Sequence, residues 1–243
     1  MTRLLIDADI LVYKAIASTE QEIEWEPDVW TIHTDLNDAL EAFNEQINSI
    51  VERSGINDYL LCFSDSENFR KKIYKEYKAN RASTRKPVGF KPFRTKVIEQ
   101  FRGVVKPTLE ADDVLGILAT KNPDTTIIVS DDKDLMQIPG RHLVGDEVIV
   151  VTERAADKMF YTQVLTGDPV DNYPGCPGVG KVKAEAILSK PEAIEDPWDF
   201  IVEAYEKAGL TEKDALVQAR CARILRCTDW NEKKQKVILW NNN

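Results

Sequence analysis

Histidine is nearly missing from this chain, with two in 243 residues, and the four cysteines (Cys62, Cys176, Cys221, Cys227) contain no Cys-x-x-Cys pair. That scarcity argues against a zinc site of nitrogen and sulfur ligands and against a disulfide scaffold, and it suits a reducing, cytoplasmic compartment. No apolar run approaches the roughly 20 residues that a bilayer-spanning helix needs, so no membrane partner is expected. Only Arg3 precedes Leu4-Leu5-Ile6 before Asp7 and Asp9 interrupt the run, a pattern unlike a secretory signal. Repeats are absent, and the only low-complexity tract is Asn241-Asn242-Asn243.

Charge, by contrast, is abundant. Hydrophobic residues make up 43% and charged residues 30%, which allows a sizeable core in one large domain or two small ones. The net charge of −9 averages two unlike parts. Between Arg70 and Lys106 stand 13 Lys and Arg against two acids, Glu76 and Glu99, a local balance of +11 that leaves −20 on the remainder. Such an asymmetry points to a basic surface for a polyanion set beside an acidic site, the bland alternative being a solvated basic helix.

Short β-rich runs fall at Leu4–Ile6, Tyr59–Phe63, Thr126–Ser130 and Glu147–Val151. Between them Leu36, Leu40, Phe43, Ile47 and Ile50 keep helical period, with Gly55 placed as a C-cap, and a second helix begins near Asp112. Strands alternating with helices predict an α/β layer structure around a mostly parallel sheet. Residues 23–32 read as an inserted hairpin and 81–91 as a loop. From Ala155 the pattern turns helical to the end, and Thr211-Glu-Lys-Asp214 reads as a capping box opening a helix through Leu225. The expected division is an α/β body over residues 1–154, with its basic segment over 70–106, and a helical part over 155–243 packed on it.

The acids are placed where such a sheet would collect them. Asp7 ends the first strand, Asp65 follows the second, and Asp132 and Asp134 follow Ile127-Ile-Val-Ser130. Residues just past the ends of parallel strands meet along one edge, where open α/β sheets hold their ligands. Glu110, Asp112 and Asp113 open a helix, where the dipole favours negative charge, and Asp168 and Asp171 come from a later loop. Taken singly, each has an ordinary explanation as cap, turn or surface charge. Taken together, nine carboxylates in one cavity demand counter-charge. Oxygen-only ligands favour Mg²⁺ or Mn²⁺ over Zn²⁺, and two such ions about 4 Å apart suit hydrolysis of a phosphodiester.

A second motif is Gly167-Asp-Pro-Val-Asp-Asn-Tyr-Pro-Gly-Cys-Pro-Gly-Val-Gly180, followed by Lys181-Val-Lys183 at a helix start. Gly178 and Gly180 can take positive φ, and the free N–H groups of the helix can face a phosphate with Lys181 and Lys183 as counter-charges. This is the pattern of a helix–turn–helix hairpin that grips duplex backbone without reading bases. A tight turn alone would also explain two glycines; Asp168 and Asp171 just upstream make the pattern specific.

Leu5-Ile-Asp-Ala-Asp9, Phe63-Ser-Asp65, Tyr74-Lys-Glu-Tyr-Lys-Ala-Asn-Arg81, Leu109-Glu-Ala-Asp-Asp-Val-Leu-Gly116, Ser130-Asp-Asp-Lys-Asp-Leu135 and Thr166–Ala184 occur in the order found in structure-specific 5′-nucleases. The chain thus resembles that family of flap endonucleases and 5′→3′ exonucleases over most of its first 185 residues. Lys86-Pro-Val-Gly89 and Ala222-Arg-Ile-Leu-Arg226 look closest to standalone phage exonucleases. The resemblance implies a PIN-like sheet, a helical arch and a C-terminal helical part with the hairpin known as H3TH. It implies one metal site from Asp65, Glu110 and Asp112, with Asp7 and Asp113, and a second from Asp132, Asp134, Asp168 and Asp171. Lys78 and Arg81 would handle the scissile phosphate and 5′ end. Lys14, Arg70, Lys71, Tyr77, Gly178, Gly180, Lys181 and Lys183 would complete the DNA contacts, Tyr77 by stacking on a displaced base or, equally, as a packed core ring.

The implied activity is Mg²⁺-dependent 5′→3′ exonuclease or flap-endonuclease cleavage of duplex DNA at ends, nicks or flaps, and of RNA–DNA hybrids, by a two-metal mechanism that leaves 5′-phosphates. A K⁺ ion at the hairpin and a monomeric state go with it. Asp131, where glycine is common, and Asp9, where an uncharged residue is frequent, depart from the family pattern. Two rivals are a PIN-type single-strand endoribonuclease and a non-catalytic binder of DNA junctions; the glycine hairpin weighs against the first, and the complete set of acids against the second.

Overall fold

In the computed structural model, which describes residues 2–190 and 196–242, Leu4-Leu5-Ile6 form the middle of β1 (Arg3–Asp7) and are buried on both faces. The chain continues through α1 (Ala8–Ser18), a hairpin of β2 (Gln21–Glu26) and β3 (Val29–His33), α2 (Leu36–Ser54), β4 (Tyr59–Phe63) and a short α3 (Arg70–Ile73). Then come α4 (Phe90–Phe101), β5 (Val104–Val105), α5 (Ala111–Lys121), β6 (Thr126–Val129), β7 (Gly140–Val144) and β8 (Glu147–Val151). The remaining elements are α6 (Glu153–Thr166), α7 (Lys181–Leu188), α8 (Pro197–Lys207), α9 (Glu212–Ala222) and a terminal pair, β9 (Trp230–Asn231) and β10 (Lys236–Val237).

The main sheet has the order β5-β4-β1-β6-β7-β8, and only β8 runs antiparallel to its neighbour. Continuous apolar runs make the central strands because helices cover both faces. On one face α1, α2 and α4 contribute Val12, Ile16, Phe43, Ile47, Phe93 and Val97. On the other, α5 buries Val114, Leu115 and Ile117 against Leu5 and Ile128, together with Ile224, Leu225 and Trp230 from the C-terminal segment. Each such side chain contributes about 1.5–3 kcal/mol when fully buried. Gly116 explains how that segment comes so close: a Cβ there would stand 2.3 Å from the Leu225 carbonyl oxygen.

A third core unites α6, α7, α8 and α9 through Phe160, Val164, Ile201, Tyr205 and Ala219, and draws in Tyr77 and Tyr173. Helix α2 begins and ends as its sequence implies, with Gly55 at φ 67° after Ser54. Thr211 and Asp214 form the reciprocal capping box of α9.

Several sequence expectations are corrected. Helix α9 stops at Ala222 rather than Leu225, because Arg223 turns extended and its carbonyl accepts a hydrogen bond from the Arg70 guanidinium at 2.5 Å. The C-terminal region is not helical throughout, since β9 and β10 pair after Asp229. Strand β7 carries no alternating apolar signal; its His142 is nevertheless buried and its ring bonds the Ile138 carbonyl at 2.8 Å. The basic segment begins with α3 and a 3₁₀ turn at Ala79–Ser83, leaving residues 84–89 as loop before α4. Among the described residues no helix is long and apolar enough to cross a membrane.

Candidate active site at the carboxyl edge of the sheet

Parallel strands aim their C-terminal ends at one edge, and β1 is flanked there by β4 and β6, which lie on opposite sides of it. A crevice opens at such a switch point. It is a cavity of about 830 Å³ lined by Asp7, Asp9, Glu110, Asp112, Asp132, Asp134, Asp168 and Asp171, with Lys78, Arg81, Lys133 and Lys181 among them. Seven of the nine sequence-predicted carboxylates therefore share one cavity.

The loop that brings Asp168 and Asp171 is held by a close crossing of backbone. Gly167 and Gly175, both at φ 66°, touch so nearly that a Cβ on Gly175 would lie 2.2 Å from the Gly167 nitrogen. Reciprocal bonds between Asp168 and Tyr173 close the loop at 2.9 and 3.1 Å. Asp132 caps its own turn by accepting from the Asp134 N–H at 2.9 Å, and Ser130 Oγ donates to Asp7 at 3.1 Å.

Electrostatics divide the cavity. On one side burial and the neighbouring Asp9 push Asp7 up to about 6. Burial, then Asp132, does the same for Asp134, to about 6. Burial together with Asp7 and Asp132 raises Asp112 well above the usual carboxylate range. On the other side burial also opposes the charge of Glu110, but Lys78 and Arg70 overcome it and bring the group down to about 2. Lys78 bonds Glu110 and stands 3.4 Å from Asp171, whose other oxygen accepts from Arg81 at 2.6 Å. The Lys78 backbone is left-handed, with φ 55°, and its N–H donates to the Asp171 carbonyl at 2.8 Å.

Two predicted acids are placed elsewhere. Asp113 is fully buried beneath the cavity and grips Arg70 with both oxygens at 2.7 Å. Asp65 follows β4 but does not line the cavity; its two oxygens accept from the Thr108 and Ser66 N–H groups at 2.7 Å, and these bonds hold its carboxyl below the usual range against the effect of burial. It pins the loop before α5.

The basic residues divide in the same way. Arg70 touches the cavity but is 2% exposed and fully engaged by Asp113, Glu110 and the carbonyls of Cys221 and Arg223, so it is a structural cation rather than a DNA contact. Tyr77 does not stack on a displaced base: its ring is 2% exposed and stacks on Tyr173 at 6.3 Å, while its hydroxyl lies 2.8 Å from both Glu110 and Asp171. Lys71 is exposed on α3, away from the cavity, and Lys14 pairs with Asp131 outside it. Gly178 has the expected positive φ of 73°, but Gly180 is extended at φ −94° as N-cap of α7. Both glycines face open space, and Lys183 donates to the Gly178 carbonyl at 3.1 Å, which a K⁺ ion there would have to displace.

Asp9 is the site residue that family pattern alone would pass over. It accepts from the Ser64 N–H at 2.7 Å and from Arg94 Nε at 2.9 Å, and Arg94 also bonds the Ser64 carbonyl. Asp9 lies two residues past Asp7, so its place at the cavity was legible; Arg94, from a helix 85 positions away, had no local signal.

Among the described residues no three His, Cys, Asp or Glu side chains stand together as a ready-made metal site. The donor set nevertheless fits a hard divalent cation. It is all oxygen, and Asp7 is buried and Asp112 and Asp134 half-buried among other acids with too little counter-charge, which pushes all three carboxyls up.

Comparison with known proteins places this geometry in context. Residues 2–168 match the family model for the 5′-3′ exonuclease N-terminal resolvase-like domain. The exodeoxyribonuclease of Enterobacteria phage T3 is 31% identical over 98% of this chain and 92% of its own length, and the exonuclease of Escherichia phage T7 gives the same figures. Among solved structures, the T5 D15 protein co-crystallised with metal ions is similar in fold, with a TM-score of 0.63 over 91% of each chain at 15% identity.

Proposed function

The chain belongs to the 5′-3′ exonuclease family of nucleases, and on that premise we propose that it is a Mg²⁺-dependent enzyme that removes nucleotides or flaps from the 5′ ends of duplex DNA. The observation that carries this reading is the gathering of Asp7, Glu110, Asp112, Asp132, Asp134, Asp168 and Asp171 around one cavity with Lys78 and Arg81 inside it. Asp7, Glu110 and Asp112 would hold one cation and Asp132, Asp134, Asp168 and Asp171 a second. Two divalent ions bound there would activate a water and stabilise the leaving oxygen of a phosphodiester.

The protein's own groups do the rest. Asp112 and Asp132 face the same cavity, and the repulsion between them favours cation entry. Lys78 and Arg81, now neutralising Glu110 and Asp171, would be free to turn to the scissile phosphate once those carboxylates gain another partner. Lys181 and Lys183 and the free N–H groups starting α7 grip the duplex backbone. Because such contacts read no bases, RNA–DNA hybrids fall within the same substrate class. Cleavage would leave 5′-phosphates. A K⁺ ion at the hairpin belongs to this reading and would take the Gly178 carbonyl from Lys183.

The test is product sizing on 5′-labelled blunt, nicked and flapped duplexes with Mg²⁺. Mononucleotides indicate stepwise trimming, and one longer fragment indicates flap removal. Asp132→Ala should lower cleavage by about 10³-fold or more while duplex binding survives. Full turnover by that variant, or a preference for unstructured RNA, would overturn the proposal.

A further inference from the structure

Arg94 belongs to the basic segment by sequence but is engaged at the acidic site. On α4, Phe90, Phe93 and Val97 form the buried stripe, and Arg94 lies at its margin with its guanidinium 5.3 Å over the Phe63 ring at the end of β4. Both oxygens of Asp9, two residues past Asp7, are taken: one accepts from Arg94 Nε at 2.9 Å and the other from the Ser64 N–H at 2.7 Å. Arg94 closes the ring by donating to the Ser64 carbonyl. Ser64 Oγ in turn accepts from the Ala111 N–H at 3.0 Å, between Glu110 and Asp112. One guanidinium thus joins α4 to the starts of α1 and α5. Asp9 and Ser64 line the acidic cavity, and Arg94 does not.

We propose that Arg94 is a positioning residue that withholds Asp9 from the metal ions, so that the cation beside Asp7 is held by Asp7, Glu110 and Asp112 without it. The inference rests on the proposed use of divalent cations at this cavity. Asp9 is the same chemical group as its neighbours and lines the same space as Asp7. Left free, it would compete for a cation there and draw it from the ligands that the reaction needs. An arginine suits the task because Nε and Nη2 reach the carboxylate and the carbonyl together. A lysine at this position would bring one nitrogen where two are used. The fully buried Phe93 and Val97 fix α4 against the sheet and so deliver the guanidinium to a set place. A bond that merely braced α4 would have a different signature: its removal loosens the site and weakens metal binding, whereas release of a withheld acid strengthens it.

The test measures Mn²⁺ binding to the full chain by electron paramagnetic resonance, without DNA, beside the kinetics of cleavage of a 5′-labelled duplex in Mg²⁺. In Arg94→Met, Mn²⁺ should bind about threefold more tightly or better. In the same variant kcat should fall by about tenfold or more while KM for the duplex changes by less than about twofold. Adding Asp9→Asn should restore the parent Mn²⁺ affinity and most of kcat, and Arg94→Lys should fall between parent and Arg94→Met. Should Arg94→Met misfold, the Arg94 Nε–H resonance of the unaltered chain, assigned with Arg94→Lys, decides: it should persist at saturating Mg²⁺ because Asp9 stays with Arg94. Weaker or unchanged Mn²⁺ binding in Arg94→Met, an undiminished kcat, no recovery in the double variant, or loss of the Nε–H signal on adding Mg²⁺ overturns the role of Arg94. An unaltered chain that binds no Mn²⁺ overturns the proposed metal site itself and this role with it, so the two failures are told apart.

Discussion

Asp112 and Asp113 follow one another at the start of α5, yet they meet opposite surroundings. Asp113 points down into the core, where Arg70 matches both of its oxygens and the N–H groups of Leu225 and Glu110 add further bonds at 3.1 and 3.2 Å. Asp112 points into the cavity, where Asp7 and Asp132 repel it and only Lys78 offers partial relief. One peptide step on a helix turns a side chain by about 100°, enough to separate a satisfied structural acid from a frustrated one. The comparison supplies a working criterion: an acid fully neutralised beneath the core surface, as Asp113 is, is structural, and one that faces the cavity is open to a cation, most of all where, as for Asp112, repulsion leaves it in want of one.

The sharpest way to break that comparison is to remove the two acids separately. Asp112→Asn should reduce Mg²⁺-dependent cleavage by about 10³-fold or more and leave metal-free thermal stability unchanged or raised, since a repulsive charge is gone. An Asn variant that cuts normally, or that unfolds more easily than the parent, would place Asp112 with Asp113. On the structural side Arg70→Met should destabilise the fold by about 3–5 kcal/mol, because it strands the Asp113 charge in the core. Adding Asp113→Leu should recover most of that loss. Urea unfolding of the two single variants and the double variant measures the coupling directly.

A smaller effect separates, by pH, a repelled cavity acid, Asp7, from a cation-paired one, Glu110. Burial and the neighbouring Asp9 push the Asp7 carboxyl up to about 6 in the fold from an ordinary 3.8. Between those values the folded state binds the extra proton, so metal-free stability should fall as pH rises from about 4 to about 6. At about 1.4 kcal/mol for each pKa unit, Asp7 sets an upper limit of about 3 kcal/mol on its own share. Glu110 has the reverse sign. Against burial, Lys78 and Arg70 bring it down to about 2, below the ordinary 4.5, so its contribution is complete above 4.5 and is lost as pH falls toward 2. Thermal melts in EDTA should therefore show a stability maximum near pH 4–5, and saturating Mg²⁺ should flatten the decline above it. A metal-free curve that rises steadily to pH 7 would contradict the repulsion assigned to Asp7.

The criterion also explains what the sequence could and could not disclose. The strand-end positions of Asp7, Asp132 and Asp134 and the helix start at Asp112 are local facts, and the parallel sheet turns them into neighbours. Asp65 fits the same strand-end rule but is spent on Thr108 and Ser66, two backbone partners that no spacing encodes. Arg70 lies within the basic segment and counts toward its charge, yet its partners come from about 40 residues away on α5 and about 150 away near Arg223. Charge runs disclose composition, and burial decides which members of the run reach solvent. The loop expected over 81–91 contains real loop at 84–89, because its bases give neither helical period nor alternation.

Tyr77 tests an intermediate case, the cavity acids Glu110 and Asp171 that Lys78 and Arg81 already pair. Its hydroxyl lies 2.8 Å from Glu110 Oε2 and 2.8 Å from Asp171 Oδ2, but it owns one proton and can donate to only one carboxylate at a time. Lys78 and Arg81 supply the remaining donors, so the hydroxyl refines an arrangement that the cations already hold. Tyr77→Phe keeps the ring against Tyr173 and removes that one bond; the expected loss of stability is about 1–2 kcal/mol. Because Glu110 and Asp171 would then be aimed by Lys78 and Arg81 alone, the Mg²⁺ concentration for half-maximal cleavage should shift by a few-fold while the plateau rate changes little. A plateau lowered as severely as by Asp112→Asn would mean that the hydroxyl touches the reacting phosphate, and that the buried ring belongs to the functional side of the comparison.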